Sequence, residues 1–286
     1  MAAMTQAAAP KSAPKRFWAE LNTRDFAQID ASHAVAVLPV AATEQHGPHL
    51  PLGVDTVLVD GIVNATLPHL PADAAIHFLP TQAIGLSPEH TSFAGTLTLS
   101  PQTLISVWIE IGACVARAGV KKLVLFNSHG GQVSVMDIVA RELRVRHGLM
   151  VWSTSWYTLP LGDEVNGLFP PGEHRFGVHA GDIETSMMLA LQPGRVDMAQ
   201  AQDFASTSQQ RAKDYAILGN GKSAKLGWAM EDYNAQGAAG NAAAATAEKG
   251  RALVEAAAKQ LAAMLVEVSR LPMGGTAPVR RAGAIY

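Results

Sequence analysis

At 286 residues, 48% apolar and 16% charged, the chain can bury a sizeable core and is too apolar for a disordered polypeptide. A formal net charge of −2 with no dense Lys/Arg run excludes a general binder of nucleic acid or anionic membrane. Cys114 is the only cysteine and no stretch reaches the ~18 apolar residues of a membrane span, so a reducing, cytoplasmic setting without internal disulfides is expected.

Residues 1–16 are rich in Ala, Pro and Lys and lack the pattern of a secretory signal, so they read as a flexible tail. A single domain is expected over 17–272, with a second tail over 273–286. Short, continuous apolar runs read as strands buried on both faces: Ala34 to Val40, His77 to Pro80, Lys121 to Asn127 and Leu149 to Ser155. Helical patterns fall between and after them, at Val54 to Leu67, Ser100 to Ala118, Gln132 to His147 and Asp182 to Leu191. Cys114 lies in one of these, within the apolar run Ile109 to Ala116, and is expected to be buried. The Pro- and Gly-rich segment Phe169 to His179 reads as a functional loop. The Ala-rich stretch Asn241 to Leu271 reads as a packed C-terminal helix, with Leu253, Leu261, Met264, Leu265 and Val268 as its apolar face. Strand and helix in alternation predict an α/β layered domain.

The candidate chemistry gathers just after the strands. Glu44 and His46, two residues apart in an extended segment, face one side, and Asp55 can fold back beside them. Two carboxylates and an imidazole suit Zn²⁺, Mn²⁺ or Fe²⁺. His129 follows the third strand in Asn127-Ser128-His129-Gly130-Gly131. In open α/β sheets that is where ligands bind, and the glycines allow close backbone approach. Further on, Glu184 falls in the first helical turns as a candidate ligand, His179 just before them as a candidate proton donor, and Asp182 reads as a helix cap. In the turn-rich stretch Gly85 to Thr96, Ser87 and His90 are candidate substrate contacts, whereas Glu89 reads as solvated. No Gly-x-Ser-x-Gly elbow is present, which argues against a serine hydrolase.

Taken together and in order, Glu44-Gln45-His46-Gly47-Pro48-His49-Leu50-Pro51, Asp55, Gly85 to Thr96, Asn127 to Gly131 and His179 to Ser186 resemble the creatininase (creatinine amidohydrolase) family. The resemblance implies a three-layer α/β/α fold with a mainly parallel central sheet. It implies a site for two divalent ions (Zn, Mn or Fe) and a homo-oligomer, often a hexamer. It makes Glu44, His46, Asp55 and His129 metal ligands, Asp55 the bridge between the ions, and His179 the acid/base group. Two departures stand out. Gly131 occupies the place of a carboxylate in creatinine-cutting members, so Glu184 is expected to supply it. The tryptophan that those members carry shortly before the equivalent of His179 is missing, and Arg175 in that stretch favours an anionic substrate group.

The reading is therefore a metal-dependent amidohydrolase that cleaves a C–N bond in a small cyclic or linear amide with an activated water, with Gly130 supplying an N–H near the developing oxyanion. A formamide deformylase or a short-peptide-trimming peptidase of the same family is an alternative, as is a non-catalytic metal-binding assembly subunit.

Overall fold

The computed structural model describes residues 14–273; of the tails expected over 1–16 and 273–286, residues 1–13 and 274–286 lie outside them. Four parallel strands form the central sheet: β1 (Val35–Val40), β2 (Ile76–Phe78), β3 (Lys122–Asn127) and β4 (Met150–Ser155), in the order β2-β1-β3-β4. Val35 pairs with Ile76 on one side and Lys122 on the other, and Lys122 pairs in turn with Met150. The antiparallel pair β5 (Asp203–Phe204) and β6 (Gly240–Asn241) stands apart.

The helices are α1 (Thr23–Phe26), α2 (Val54–Thr66), α3 (Pro101–Arg117), α4 (Val133–His147), α5 (Asp163–Asn166), α6 (Pro171–Phe176), α7 (Asp182–Leu191), α8 (Thr207–Asp214) and α9 (Ala247–Arg270). Strand residues alternate between two cores, as the two-residue period of a strand requires. Val35, Val37, Val124 and Phe126 pack with α2, α7 and α9. Ala36, Leu38, Leu123 and Leu125 pack with α3 and α4 on the opposite face. The result is the expected three-layer sandwich.

Local sequence sets the element ends. Ser100 accepts from the Thr103 N–H with Pro101 at the first helical position of α3, and Gly148 closes α4 in a left-handed turn at φ 67°. The C-terminal helix starts at Ala247, behind a Thr246 cap, later than its composition suggests. Residues 242–244 form a separate 3-10 turn before it. Lys122 is wholly buried, its ammonium satisfied by the Ser269 carbonyl at 2.7 Å in the last turn of α9. Burial holds its pKa down.

Three expectations are corrected here. Arg16 is not part of a loose tail: it is buried, and its guanidinium donates to the carbonyls of Ala74 and Pro71. Cys114 is exposed, because the face of α3 that turns inward carries Leu104, Trp108, Gly112 and Val115. The segment Phe169 to His179 holds the short helix α6. Glu173 anchors that helix by accepting from the Asp182 N–H (2.7 Å) and the Asn241 N–H (2.9 Å).

Helix α9 packs closely on α7 through Gly250, where a Cβ would collide with the Ser186 carbonyl. Gly250→Ala gains ~1 kcal/mol of helix propensity but forces the two backbones apart. A net loss of about 2 kcal/mol is expected. It would be read as a lower denaturant midpoint at unchanged m.

Candidate metal centre

The strand order reverses at β1 and β3, since the chain leaves β1 toward β2 and returns past it to β3. Ligands bind at the carboxyl ends of strands at such a switch point. Glu44 and His46 follow β1, His129 follows β3, and Asp55 sits in the first turn of α2. All four are buried. Asn127 holds the loop after β3 by donating to the His129 carbonyl (2.6 Å) and accepting its N–H (3.0 Å). His179 precedes α7 on a backbone forced by Ala180, which adopts a left-handed φ of 53°.

Hydrogen bonds orient the three histidines in one way. His46 Nδ1 meets the Glu44 carbonyl (3.0 Å), His129 Nε2 the Leu86 carbonyl (2.9 Å) and His179 Nε2 the Gln45 carbonyl (2.7 Å). A carbonyl only accepts, so each of these nitrogens carries the proton. The other nitrogen of each ring, bare whenever the ring is neutral, is turned to the centre. His46 Nε2 lies 3.9 Å from Asp55 Oδ1, His129 Nδ1 lies 3.5 Å from Asp55 Oδ2 and 3.1 Å from Glu44 Oε1, and His179 Nδ1 lies 3.8 Å from Glu44 Oε1. Asp55 thus offers one oxygen to each of two histidines.

His90 is the exception. The Gly47 N–H fixes the Gln45 amide through its oxygen (2.9 Å), so the amide nitrogen donates to His90 Nδ1 (2.7 Å). His90 Nε2 therefore carries the proton and points it at Glu44 Oε1, 3.5 Å away. Burial lowers the pKa of this ring to about 3.

The charges in the cluster conflict. Burial works to raise the Glu44 carboxyl, but His129, His179 and His90 override it and hold the group well below its usual range. Burial and then Glu44 push Asp55 far up, and burial pushes Glu184 up. Burial holds His46 far down, while Glu44 drives His129 up against the cost of its own burial. Glu44 Oε2, His46 Nε2, Asp55 Oδ2 and Glu89 Oε1 are buried without a hydrogen-bond partner. Unsatisfied atoms of this kind cost free energy, and bound cations would satisfy them. Among the described residues four overlapping groups offer ligand atoms within 4.8 Å of one another: Glu44/His46/Asp55, His46/His179/Glu184, Glu44/Glu89/His129 and Glu44/His90/His179. The donor set fits divalent metal.

Other predicted residues fall as follows. Glu184 is beside His46, with its Oε2 accepting from the Ala180 N–H at 2.6 Å. Ser87 is wholly buried with its hydroxyl 3.3 Å from His129 Nε2, so it faces that ring. Gly130 is open, with nothing within 4 Å of where a Cβ would stand. Arg175 is exposed on α6 and donates to the Gly219 carbonyl (3.2 Å). Asp182 is not the cap of α7, which is Gly181; it is buried, bound to Lys249 (2.7 Å) and Ser186 (2.9 Å).

Glu89 overturns its solvated reading. Its side chain is only 9% exposed, and Oε1 lies 3.3 Å from His129 Nε2. A Cβ on Gly131 would collide with that same oxygen, so the glycine makes the room that this carboxylate fills. Sequence reasoning also missed Gln45, which links His90 to the loop, and Gln132, a buried bridge between Asn127 and the Leu86 N–H. The cue for Gln132 was its place five residues after Asn127 in an apolar neighbourhood.

These features make a candidate metal centre on an α/β/α sandwich. The family model described as creatinine amidohydrolase matches residues 19–265, and the chain belongs to the creatininase family. Among curated relatives, the mycofactocin precursor peptide peptidase of Mycobacterium tuberculosis is 33% identical over 186 residues, 62% of this chain and 66% of the relative. That match spans just under two thirds of the relative's length. The creatinine amidohydrolase of Pseudomonas putida is 30% identical over 201 residues, 65% of this chain and 76% of that protein. A solved structure named creatininase Mn superposes at a TM-score of 0.72 and 26% identity, covering 90% of this chain and 100% of the other. No helix among the described residues is long and apolar enough to cross a membrane.

Proposed function

We propose that residues 17–272 form one metal-dependent amidohydrolase domain that cuts a C–N bond in a small amide. The observation that carries this reading is the orientation of His46, His129 and His179. Each spends one N–H on a backbone carbonyl and turns its other nitrogen toward the Glu44 and Asp55 carboxylates. Such outer hydrogen bonds fix tautomer and ring angle in metal sites. Glu44, His46, Asp55, His129 and Glu184 would hold the two ions that the family resemblance implies, with Glu89 against His129. Manganese, named in the related structure, and zinc or iron all suit this donor set.

When bound, the cations supply a Lewis acid for the substrate carbonyl and lower the pKa of water toward neutrality. His179 accepts the attacking water's proton at Nδ1 as oxygen bonds to the carbonyl carbon, and returns it to the nitrogen as the C–N bond breaks. Its Nε2–H stays on the Gln45 carbonyl, which keeps Nδ1 aimed at the centre. Space is open where a Gly130 Cβ would stand, and the Gly130 N–H is the proposed donor to the developing oxyanion. His90 and Ser87 hold Glu44 and His129 in place beside the substrate.

A second reading, trimming of a short peptide end, is favoured by the likeness to the mycofactocin precursor peptide peptidase. The exposed, unpaired Cys114 fits a reducing, cytoplasmic setting. Assembly of like copies, hexameric by family resemblance, completes the reading, with exposed Ile217 and Leu218 as apolar surface.

Removing metal with a chelator is expected to abolish hydrolysis across a panel of lactams, formamides and dipeptides. Added Mn²⁺ or Zn²⁺ is expected to restore it. Full turnover by protein that elemental analysis finds metal-free would overturn the proposal.

A further inference from the structure

Helix α6 and the segment between α7 and α9 build a cavity beside the candidate metal centre. Its volume is about 280 Å³, and Arg175, Arg211, Lys225, Trp228, Tyr233 and Val178 are among the residues that line it. Arg175 comes from α6 and Arg211 from α8, and Lys225 and Trp228 from the chain that follows α8. Trp228 forms a wall shared with the centre. Its ring stands edge-on to His90 at 6.0 Å, and His90 in turn faces Glu44. Val178 is next to His179 in the chain.

The charge of this cavity is one-sided. Three cationic residues line it and no Asp or Glu does. Elsewhere on the molecule Lys and Arg find carboxylates, as in Lys249–Asp182 and Arg141–Asp137. Among the described residues neither Arg175, Arg211 nor Lys225 lies within 4.0 Å of one. Both guanidiniums are held by rings instead: Arg211 lies 5.6 Å from the Tyr233 centroid and Arg175 lies 4.9 Å from that of Phe176. Arg175 is further tied to the Gly219 carbonyl. Like charges gathered round one space repel, and a bound anion relieves them.

We propose that this cavity is the subsite for an anionic group, carboxylate or phosphate, carried by the amide that is cut at the adjoining centre. The proposal rests on the hydrolase reading above for what happens to that amide. The binding step itself is independent of it. Trp228 offers a flat apolar face to the stem, and the arginines supply paired N–H donors to the anion.

Trp228 also provides the test. Fluorescence of the purified full chain is titrated with inorganic phosphate, N-acetylglycine and the neutral N-acetylglycinamide. Saturable quenching by an anion is expected, at least about tenfold tighter than by the neutral amide, and lost in Trp228→Phe. Arg211→Met and Arg175→Met, checked for fold by circular dichroism, are each expected to weaken it about tenfold, the effect of one charge-assisted hydrogen bond. The tighter of phosphate and N-acetylglycine identifies the source of the anion. Equal binding of the neutral amide, quenching that survives Trp228→Phe, or indifference to both arginine substitutions would overturn the subsite. Saturable anion binding with every amide left uncut would instead overturn the hydrolase reading and leave the subsite standing.

Discussion

Asp55→Asn is expected to strip the protein of most of its bound metal and to lower kcat/KM on the order of a thousandfold, about 4 kcal/mol of lost transition-state stabilisation. The carboxylate presents Oδ1 toward His46 and Oδ2 toward His129, so one residue serves both halves of the centre. An amide keeps the shape but gives up the charge and one ligating oxygen. Elemental analysis after dialysis reads the first effect, and an amide assay at saturating Mn²⁺ reads the second. Wild-type metal content in the variant would remove Asp55 from the centre. The substitution has an opposite consequence for the metal-free fold. Burial, with Glu44 next, raises the Asp55 pKa well above its unfolded value. Stability from such a group is fully present below the unfolded pKa near 3.8 and is lost as pH rises through the folded one. Near neutral pH the burial of Asp55 therefore costs stability until a cation arrives. Metal-free Asp55→Asn is expected to melt above metal-free wild type at pH 7, a trade of stability against function.

The sheet was legible because its strands are buried on both faces and so carry uninterrupted apolar runs. Val35–Val40 and Lys122–Asn127 each lie within one residue of the stretch their composition marks. Caps and glycines marked the ends of α3 and α4 equally well. The four central residues of the site were legible for a related reason: Glu44, His46, Asp55 and His129 are ionisable groups in apolar surroundings, next to the strand ends where ligands sit. Three things were hidden. Glu89 looks solvated between Pro88 and His90, because nothing local reveals that Gly131, 42 positions on, vacates the space its carboxylate fills. Asp182 looks like a cap because its partner, Lys249, lies across the α7–α9 interface. The cationic cavity is assembled from Arg175, Arg211, Lys225 and Trp228, none of which shares a local motif with another. Each depends on long-range packing, which periodicity and spacing do not record.

His179→Ala separates the roles that the geometry allows this residue. Its bare Nδ1 faces Glu44 at 3.8 Å, and it belongs to two of the groups that could hold an ion. Yet its ring also lies between those of His46 (4.2 Å) and His90 (4.3 Å), tilted against both, and its Nε2 is spent on the Gln45 carbonyl, so it can shuttle a proton without contributing to the metal shell. A proton shuttle accounts for about 10² to 10⁴ in turnover. The expected result is a loss in kcat of that size with metal content at the wild-type level and partial rescue by added imidazole. A drop in bound metal would reassign His179 as a ligand. That alternative is disfavoured by distance: His129 Nδ1 stands 3.1 Å from Glu44 Oε1, whereas His179 Nδ1 stands 3.8 Å away. Ala180, held at φ 53° immediately after it, supports the same conclusion. A backbone strained to aim one ring is more useful to a group that must meet a moving proton than to one that a cation would draw into place unaided.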